Sequence, residues 1–308
     1  MRALLVVNPV ATATTARTRD VIARALGSEL KVDVEPTGAR GHATELAARA
    51  AADGYEAVVV LGGDGTVNEV VNGLLERGPH EDVPLLGVVP GGSTNVLARA
   101  LGVVDDPFEA TGQLIDAFHE RRVRRIGLGR ADDRWFTFAA GMGLDADVVN
   151  RVEDRRRQGA RSTHALYVRS AVRQFYLGPD RRAAPLTLEV PGEEPVQRLF
   201  LAVVQNASPW TYLGSRPVNP SPDASFETGL DVFALRRTGT LRTLRHATQL
   251  VRGGDDGPHG RAVVRHHDLP ELVLRADHPV ALQVDGDALG ERERVVLRAV
   301  PDALGVLV

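Results

Sequence analysis

The chain has 308 residues, 43% of them hydrophobic and 25% charged, and a net charge of −3. That is the composition of a globular protein with room for two domains, and it offers no global attraction to nucleic acid. With no cysteine, disulfides and thiolate metal centres are excluded, and no apolar run approaches the roughly 18 residues that would span a bilayer.

The first apolar run, Ala3–Val7, is too short for a signal peptide and reads as a strand ending in Asn8-Pro9. Residues 15–27 read as a helix, Val32–Glu35 as a second strand followed by Thr37-Gly38, and 42–52 as an alanine-rich helix. Val58–Leu61 form a third strand that runs into Gly62-Gly63-Asp64-Gly65-Thr66. The spacing then changes: Val67, Val70, Val71, Leu74 and Leu75 recur as the stripe of an amphipathic helix. Leu85–Val89 is a fourth strand, entering Pro90-Gly91-Gly92-Ser93-Thr94-Asn95 and a helix with Val96, Leu97, Ala100 and Leu101 on one side. Alternating strands and helices with short continuous apolar runs predict a parallel sheet covered on both faces. Ligands of such sheets bind at the carboxyl ends of strands, where Asn8, Thr37, Gly62–Thr66 and Ser93–Asn95 should gather.

Beyond about residue 122 the texture becomes β-rich. Strand-like runs lie at 123–130, 134–140, 186–190, 198–205, 230–236, 261–266, 271–275, 280–285 and 294–299, with one helix at about 163–177. Leu304–Val308 is wholly apolar except Gly305 and suits the first sheet. The expected fold is α/β: an N-terminal three-layer nucleotide-binding domain with a parallel sheet over 1–122, completed by 300–308. An antiparallel β-sandwich over 123–299 follows it.

The loop at 62–66 carries the chemistry. A strand, a glycine turn and a helix N-terminus form an anion site, because free N–H groups and the positive end of the helix dipole point out of the turn. Gly62, Gly63 and Gly65 would let a phosphate approach without a Cβ in the way. Asp64 would repel a phosphate unless a metal lay between them, which points to a Mg²⁺-nucleotide with Asp64 as the acid that reaches the metal. A plain βα turn capped by Asp64 or Thr66 is the alternative. Lys31 is the sole lysine, so the loop GxxxxGK(S/T) is absent and any use of ATP falls to the Gly62–Thr66 loop.

Three segments carry a resemblance: Gly62-Gly63-Asp64-Gly65-Thr66-Val67-Asn68-Glu69, Pro90-Gly91-Gly92-Ser93-Thr94-Asn95-Val96-Leu97-Ala98-Arg99, and Asp285-Gly286-Asp287. Together they resemble the signatures of the diacylglycerol kinase catalytic family, lipid kinases similar in fold to NAD kinase and related to sphingosine kinases. The resemblance runs from Asn8-Pro9 to the C-terminus. It implies a lipid kinase that uses ATP and Mg²⁺, with an α/β nucleotide domain and a β-sandwich that takes the acceptor. By the same resemblance Gly62, Gly63, Asp64, Gly65, Thr66 and Asn68 wrap the phosphates. Asn8, Thr37, Ser93, Thr94 and Asn95 complete the nucleotide site, with Ser93 standing where threonine is usual.

Asp287 stands where the family has the glutamate that takes the proton from the lipid hydroxyl, and Asp64 is the alternative base. Thr228, in Phe226-Glu227-Thr228-Gly229-Leu230, replaces an acid that binds a structural Mg²⁺ in many bacterial members. Gly141-Met142-Gly143-Leu144-Asp145-Ala146 resembles a family turn with no catalytic role. Arg99, on the helix after the second loop, is either a charge near the phosphates or a solvated arginine. The arginines of 151–177 are either a membrane-facing surface or the solvated side of a packed helix, and Trp210, Tyr212 and Leu213 either line an acyl channel or anchor their loop.

The expected partners are a lipid substrate and the surface of a membrane, with no nucleic acid; a homodimer is left open. The expected location is cytoplasmic, including the inner face of the membrane. Two other functions stand beside the lipid kinase: an NAD kinase-like phosphotransferase, and a catalytically impaired nucleotide- or lipid-binding regulator.

Overall fold

The computed structural model describes residues 2–143, 184–236 and 257–308, together with Gln249. The helix expected at 163–177, the arginine-rich stretch of 151–177, and Asp145 lie outside the described residues. The chain divides into two compact units, Met1–Leu128 with Pro301–Val308, and Gly129–Val300.

In the first unit β1 (Arg2–Val7), β2 (Lys31–Pro36), β3 (Ala57–Gly62) and β4 (Leu85–Pro90) pair in parallel in the order β2-β1-β3-β4. Interleaved with them are α1 (Ala16–Glu29), α2 (His42–Ala52), α3 (Asp64–Leu74), α4 (Val96–Ala100) and α5 (Pro107–Glu120). Every residue of β3 is buried, which is why it reads as an unbroken apolar run. Ile22 and Leu26 of α1 and Leu114 and Ala117 of α5 cluster with Ala3, Leu5, Val59 and Leu61 of the sheet. α2 and α3 pack closely: a Cβ on Gly73 would lie 2.2 Å from the Thr44 carbonyl oxygen, so only glycine fits there.

Two of the helix starts, those of α1 and α5, are set by capping side chains. Thr15 caps α1 by accepting from Thr18 N at 3.0 Å. The sequence gives no expectation of a helix at 107–120, yet α5 forms there. Its start is signalled by Asp106, which accepts from Phe108 N and Glu109 N at 2.9 and 3.0 Å, and by Pro107 in the first turn.

The second unit is antiparallel. Its strands are β6 (Arg134–Phe136), β7 (Ala139–Gly143), β8 (Leu186–Glu189), β9 (Val196–Gln205), β12 (Leu230–Arg236), β13 (Val263–Leu269) and β14 (Glu271–Val284), with β5 (Val123–Ala131) and β15 (Asp287–Leu307) continuing into the first unit. The hydrogen-bonded order is β13-β12-β9-β7-β14-β15, with β8 between β9 and β14 and β6 beside β5. β10 (Thr211–Leu213) and β11 (Arg216–Val218) form a separate hairpin that carries Tyr212 and Leu213. Phe136, Met142, Leu199, Val204, Val232, Leu274, Leu282 and Leu297 are among the buried core of this unit.

Several of the expected runs are joined or divided differently in the structure. Residues 271–275 and 280–285 belong to one strand, β14, whose register shifts between Arg275 and Val280. Likewise 294–299 and 304–307 are both parts of β15, and Val306 lies opposite Leu86 of β4 in parallel. The run at 134–140 breaks at Thr137-Phe138, whose backbone N–H groups turn to a carboxylate instead of a neighbouring strand.

Candidate active site

At the carboxyl ends of the parallel strands the chain is stitched edge to edge. Thr37 N donates to Val7 O at 2.8 Å, Asn8 N to Leu61 O at 2.9 Å, and Gly91 N to Gly62 O at 2.8 Å. Thr37, Asn8, Gly62–Thr66 and Gly91–Asn95 therefore share one rim of the first unit. α3 starts there with Gly63 as its N-cap, which has no side chain to satisfy the first-turn N–H groups, and with Asp64 in the first turn.

The glycines are explained by a contact between loops. A Cβ on Gly92 would lie 2.7 Å from the Cα of Gly63, one on Gly91 3.0 Å from the Cα of Gly62, and one on Gly63 3.1 Å from the Cα of Gly92. A Cβ on Gly62 would strike Thr66 at 2.9 Å. The loop after β3 and the loop after β4 touch backbone to backbone, so Gly91 and Gly92 need glycine before any ligand is considered, Gly62 needs it against Thr66, and a Cβ on Gly63 requires Gly92 to give by a few tenths of an ångström. The hydroxyl of Thr14 packs against the same place, 2.9 Å from where a Gly91 Cβ would stand. Gly65 sits in the first turn of α3.

Several polar residues of the site bind the loops to one another. Asp64 Oδ1 accepts from Leu97 N at 3.2 Å, joining the start of α3 to α4. Asn95 takes a left-handed conformation (φ 50°) and is 5% exposed. Its Oδ1 accepts from Gly92 N at 2.9 Å, and its Nδ2 donates to Gly92 O at 3.1 Å and Asp105 Oδ1 at 2.7 Å. Asn8 Nδ2 donates to Thr66 Oγ1 at 2.8 Å. Asn68 is wholly buried and accepts from Asn72 Nδ2 through Oδ1 at 3.1 Å. Ser93 is exposed, and Thr37, Asp64 and Thr94 are partly so.

The uncapped α3 N-terminus, one acid and three hydroxyls at the surface fit a nucleotide phosphate chain with a hard cation on it. The acid in the loop would contact such a cation while phosphates and water supplied the other ligands.

Asp287 belongs to the second unit, where it opens β15 opposite Val284 across a two-residue turn, Asp285-Gly286, both at positive φ (48° and 82°). The carboxylate of Asp285, 4% exposed, accepts from Thr137 N at 2.7 Å, Thr137 Oγ1 at 2.9 Å, Phe138 N at 3.0 Å and Ala139 N at 3.1 Å. That anchor, together with Gly286 N on Gln283 Oε1 at 2.9 Å, fixes the turn from which Asp287 projects. A buried carboxylate with four donors is satisfied.

Thr228 turns its hydroxyl to Ser225 O at 3.1 Å. Beyond it, the buried Asp231 accepts from His267 Nδ1 at 2.8 Å and from Asp268 N at 3.1 Å. Burial pushes its carboxyl above the usual value, against the pull of the Asp268 N–H and of His267. Among the described residues no three histidine, aspartate or glutamate side chains converge on a cation position. Sequence reasoning assigns no role to Asp105 or Asp285, and only Asp285 carries a signal, as the first residue of the Asp-Gly-Asp turn.

Residues 2–131 match the diacylglycerol kinase catalytic domain. The diacylglycerol kinase of Bacillus subtilis (strain 168) is 31% identical over 225 residues, 70% of this chain and 67% of that protein. That of Staphylococcus saprophyticus is 27% identical over 253 residues, 82% of this chain and 76% of that protein. Among solved structures, a diacylglycerol kinase from Bacillus anthracis str. Sterne superposes with a TM-score of 0.72 at 19% identity, covering 99% of this chain and 96% of that one. An NAD kinase from Archaeoglobus fulgidus, solved in complex with ATP, gives 0.53 at 13% identity, with 100% and 94% covered. At these identities the two structures speak to the fold, a mixed α/β architecture common to both. The sequence matches carry the rest: the chain belongs to the diacylglycerol kinase family and is a kinase, a phosphotransferase with an alcohol group as acceptor.

Proposed function

We propose that this kinase uses ATP and Mg²⁺ to phosphorylate the hydroxyl of a diacylglycerol-like lipid, working in the cytoplasm at the inner face of a membrane. The observation that carries the reading is the α3 N-terminus, which no side chain caps and around which Asp64, Thr37, Ser93 and Thr94 reach the surface. Phosphoryl transfer needs positioning and charge neutralisation more than covalent help, and an open helix start with hydroxyl donors supplies both for a phosphate chain. Mg²⁺, when bound, would neutralise the phosphate oxygens that Asp64 otherwise repels. Asp64 would orient the metal-bearing phosphates, and Thr37, Ser93 and Thr94 would donate hydrogen bonds to the nucleotide.

The second unit, read as a β-sandwich, would take the acceptor. The lipid oxygen bonds to the γ-phosphorus as the bridge to ADP breaks, and the hydroxyl proton passes to the Asp287 carboxylate. No described helix is long and apolar enough to cross a membrane; in this reading the lipid is met by peripheral contact with the membrane surface.

The test is a Mg-ATP phosphorylation assay of the full chain against diacylglycerol, a sphingoid base and NAD, with a total lipid extract as an open screen. Labelled product from diacylglycerol supports the reading. The likeness in fold to an NAD kinase makes NAD the competing acceptor, and product from NAD alone would replace lipid with nucleotide. No phosphoryl transfer to any acceptor would leave the impaired regulator as the better account.

A further inference from the structure

Glu69 closes the Gly62–Glu69 motif. It lies on α3 but its carboxylate reaches α2: Oε1 accepts from Gly41 N at 2.8 Å and Oε2 from Ala43 N at 3.2 Å. α2 has no cap of its own. Its N-cap is Gly41, at a left-handed φ of 85°, without a side-chain hydrogen bond. A carboxylate 28 residues further along the chain takes the place of that cap, satisfying two N–H groups at the positive end of the helix.

What those bonds hold is the Thr37–Gly41 loop. It is fixed at its start by Thr37 N on Val7 O (2.8 Å), within it by Gly38 N on His42 Nδ1 (2.9 Å), and at its end by Glu69. α3 supports the same junction from its backbone, since Thr44 Oγ1 donates to Glu69 O at 3.0 Å. One helix therefore presents its open N-terminus at the site and, from its second turn, holds the loop that brings Thr37 there.

We propose that Glu69 is a positioning residue that sets Thr37 on the rim it shares with the α3 N-terminus, so that nucleotide affinity depends on a carboxylate that does not touch the nucleotide. This rests on the nucleotide reading given above. Loss of the carboxylate leaves Gly41 N and Ala43 N without their acceptor and releases the end of the loop, while the contacts of Asp64 and Asn95 stay in place.

The test is a double-mutant cycle with Glu69→Ala and Thr37→Ala, reading KM for ATP, kcat, acceptor KM and the melting temperature without ligand. We expect Glu69→Ala to raise the ATP KM about tenfold with kcat and acceptor KM within about twofold, and the double variant to be no worse than the worse single one. Glu69→Gln, which keeps one acceptor oxygen, should fall between; it also carries the cycle if the alanine variant does not fold. Effects that multiply in the double variant overturn the proposal, as does a lowered melting temperature with an unmoved ATP KM, which would make Glu69 a cap for α2 and nothing more. A wild-type chain without Mg-ATP turnover would overturn both this and the reading beneath it, whereas an active wild type with unmoved KM in both Glu69 variants overturns this alone.

Discussion

Alanine at Gly92 tests whether the glycines of the site serve the loops or the ligand. Its Cβ would lie 2.7 Å from the Cα of Gly63 and 2.9 Å from Asn95 Oδ1. Ordinary van der Waals contact begins at 3.4 Å, so the loop after β4 must retreat from the loop after β3 by about 0.7 Å. Backbone faces backbone, and no flexible side chain can yield instead. Overpacking of this kind costs ~1–3 kcal/mol, which in a chain of this size lowers the melting temperature by several degrees. It also displaces Ser93, Thr94 and Leu97 N, the partner of Asp64. Misplacement of a catalytic group by about 1 Å can cost ~10²-fold, so a fall in turnover of at least about tenfold is expected.

Gly63→Ala makes the comparison informative. Its Cβ would lie 3.1 Å from the Cα of Gly92, and its φ of −96° suits any residue. It should therefore be the milder change in stability. If the glycines served phosphate approach alone, the order would reverse: Gly63→Ala, at the helix N-cap, would be the worse for ATP, and neither variant would melt lower without nucleotide. Thermal melts and ATP titrations of both purified variants decide it. Wild-type melting and turnover for Gly92→Ala would refute the loop-contact account.

Asp64→Asn keeps an Oδ1 to accept from Leu97 N, so it should melt close to wild type while turnover falls ~10²-fold or more; near wild-type turnover would remove Asp64 from the metal-nucleotide site. Asp287→Asn should lower kcat by ~10²–10⁴-fold with ATP KM unchanged, and Asp287→Glu should retain activity. If Asn at 287 costs less than about threefold, the base is Asp64 or water. Asp231 tests pH. Its folded carboxyl titrates above its ordinary value, so the folded state holds the proton more tightly than the unfolded chain. Stability from this group is full below about pH 4 and is lost as pH rises through the folded pKa. Asp231→Asn should lack that slope in melts taken across the window, and an identical slope in both proteins would refute it.

Most elements of the first unit were legible because they carry their own period. Val58–Leu61 lies within β3, and the helix at 42–52 matches α2 to the residue. α5 was missed although Asp106-Pro107 announced it, because its buried stripe, Ala110, Thr111, Leu114 and Ala117, is made largely of small or polar side chains. In the second unit the pattern within a short window misleads. Asp277-His278-Pro279 looks like a break, yet β14 continues because its partner does: Arg275 faces Arg294 and, after the shift, Val280 faces Arg292. Strand continuity is decided by a neighbour that is distant in sequence, and no local period reports it.

The site was legible as a place and less so in its roles, for a related reason. A donor aimed at a phosphate and a donor aimed at a neighbouring loop have the same residue type. Asn95 and Asn68 looked like ligands, but their amides are engaged inside the protein at 5% and 0% exposure. Gly91 and Gly92 are spent on contact with Gly62 and Gly63. What remains at the surface is Asn8, Thr37, Asp64, Ser93 and Thr94, with the backbone of Gly63 and Gly65 at the start of α3, and these can meet an anion without the loops first moving. The two groups separate by experiment. Replacing a holding residue such as Asn95 leaves Asp105 and Gly92 N without partners, so melting and turnover should fall together. Replacing Ser93 or Thr94, whose side chains meet solvent, should change turnover at constant melting temperature, because an exposed hydroxyl contributes little to the fold until a ligand accepts from it.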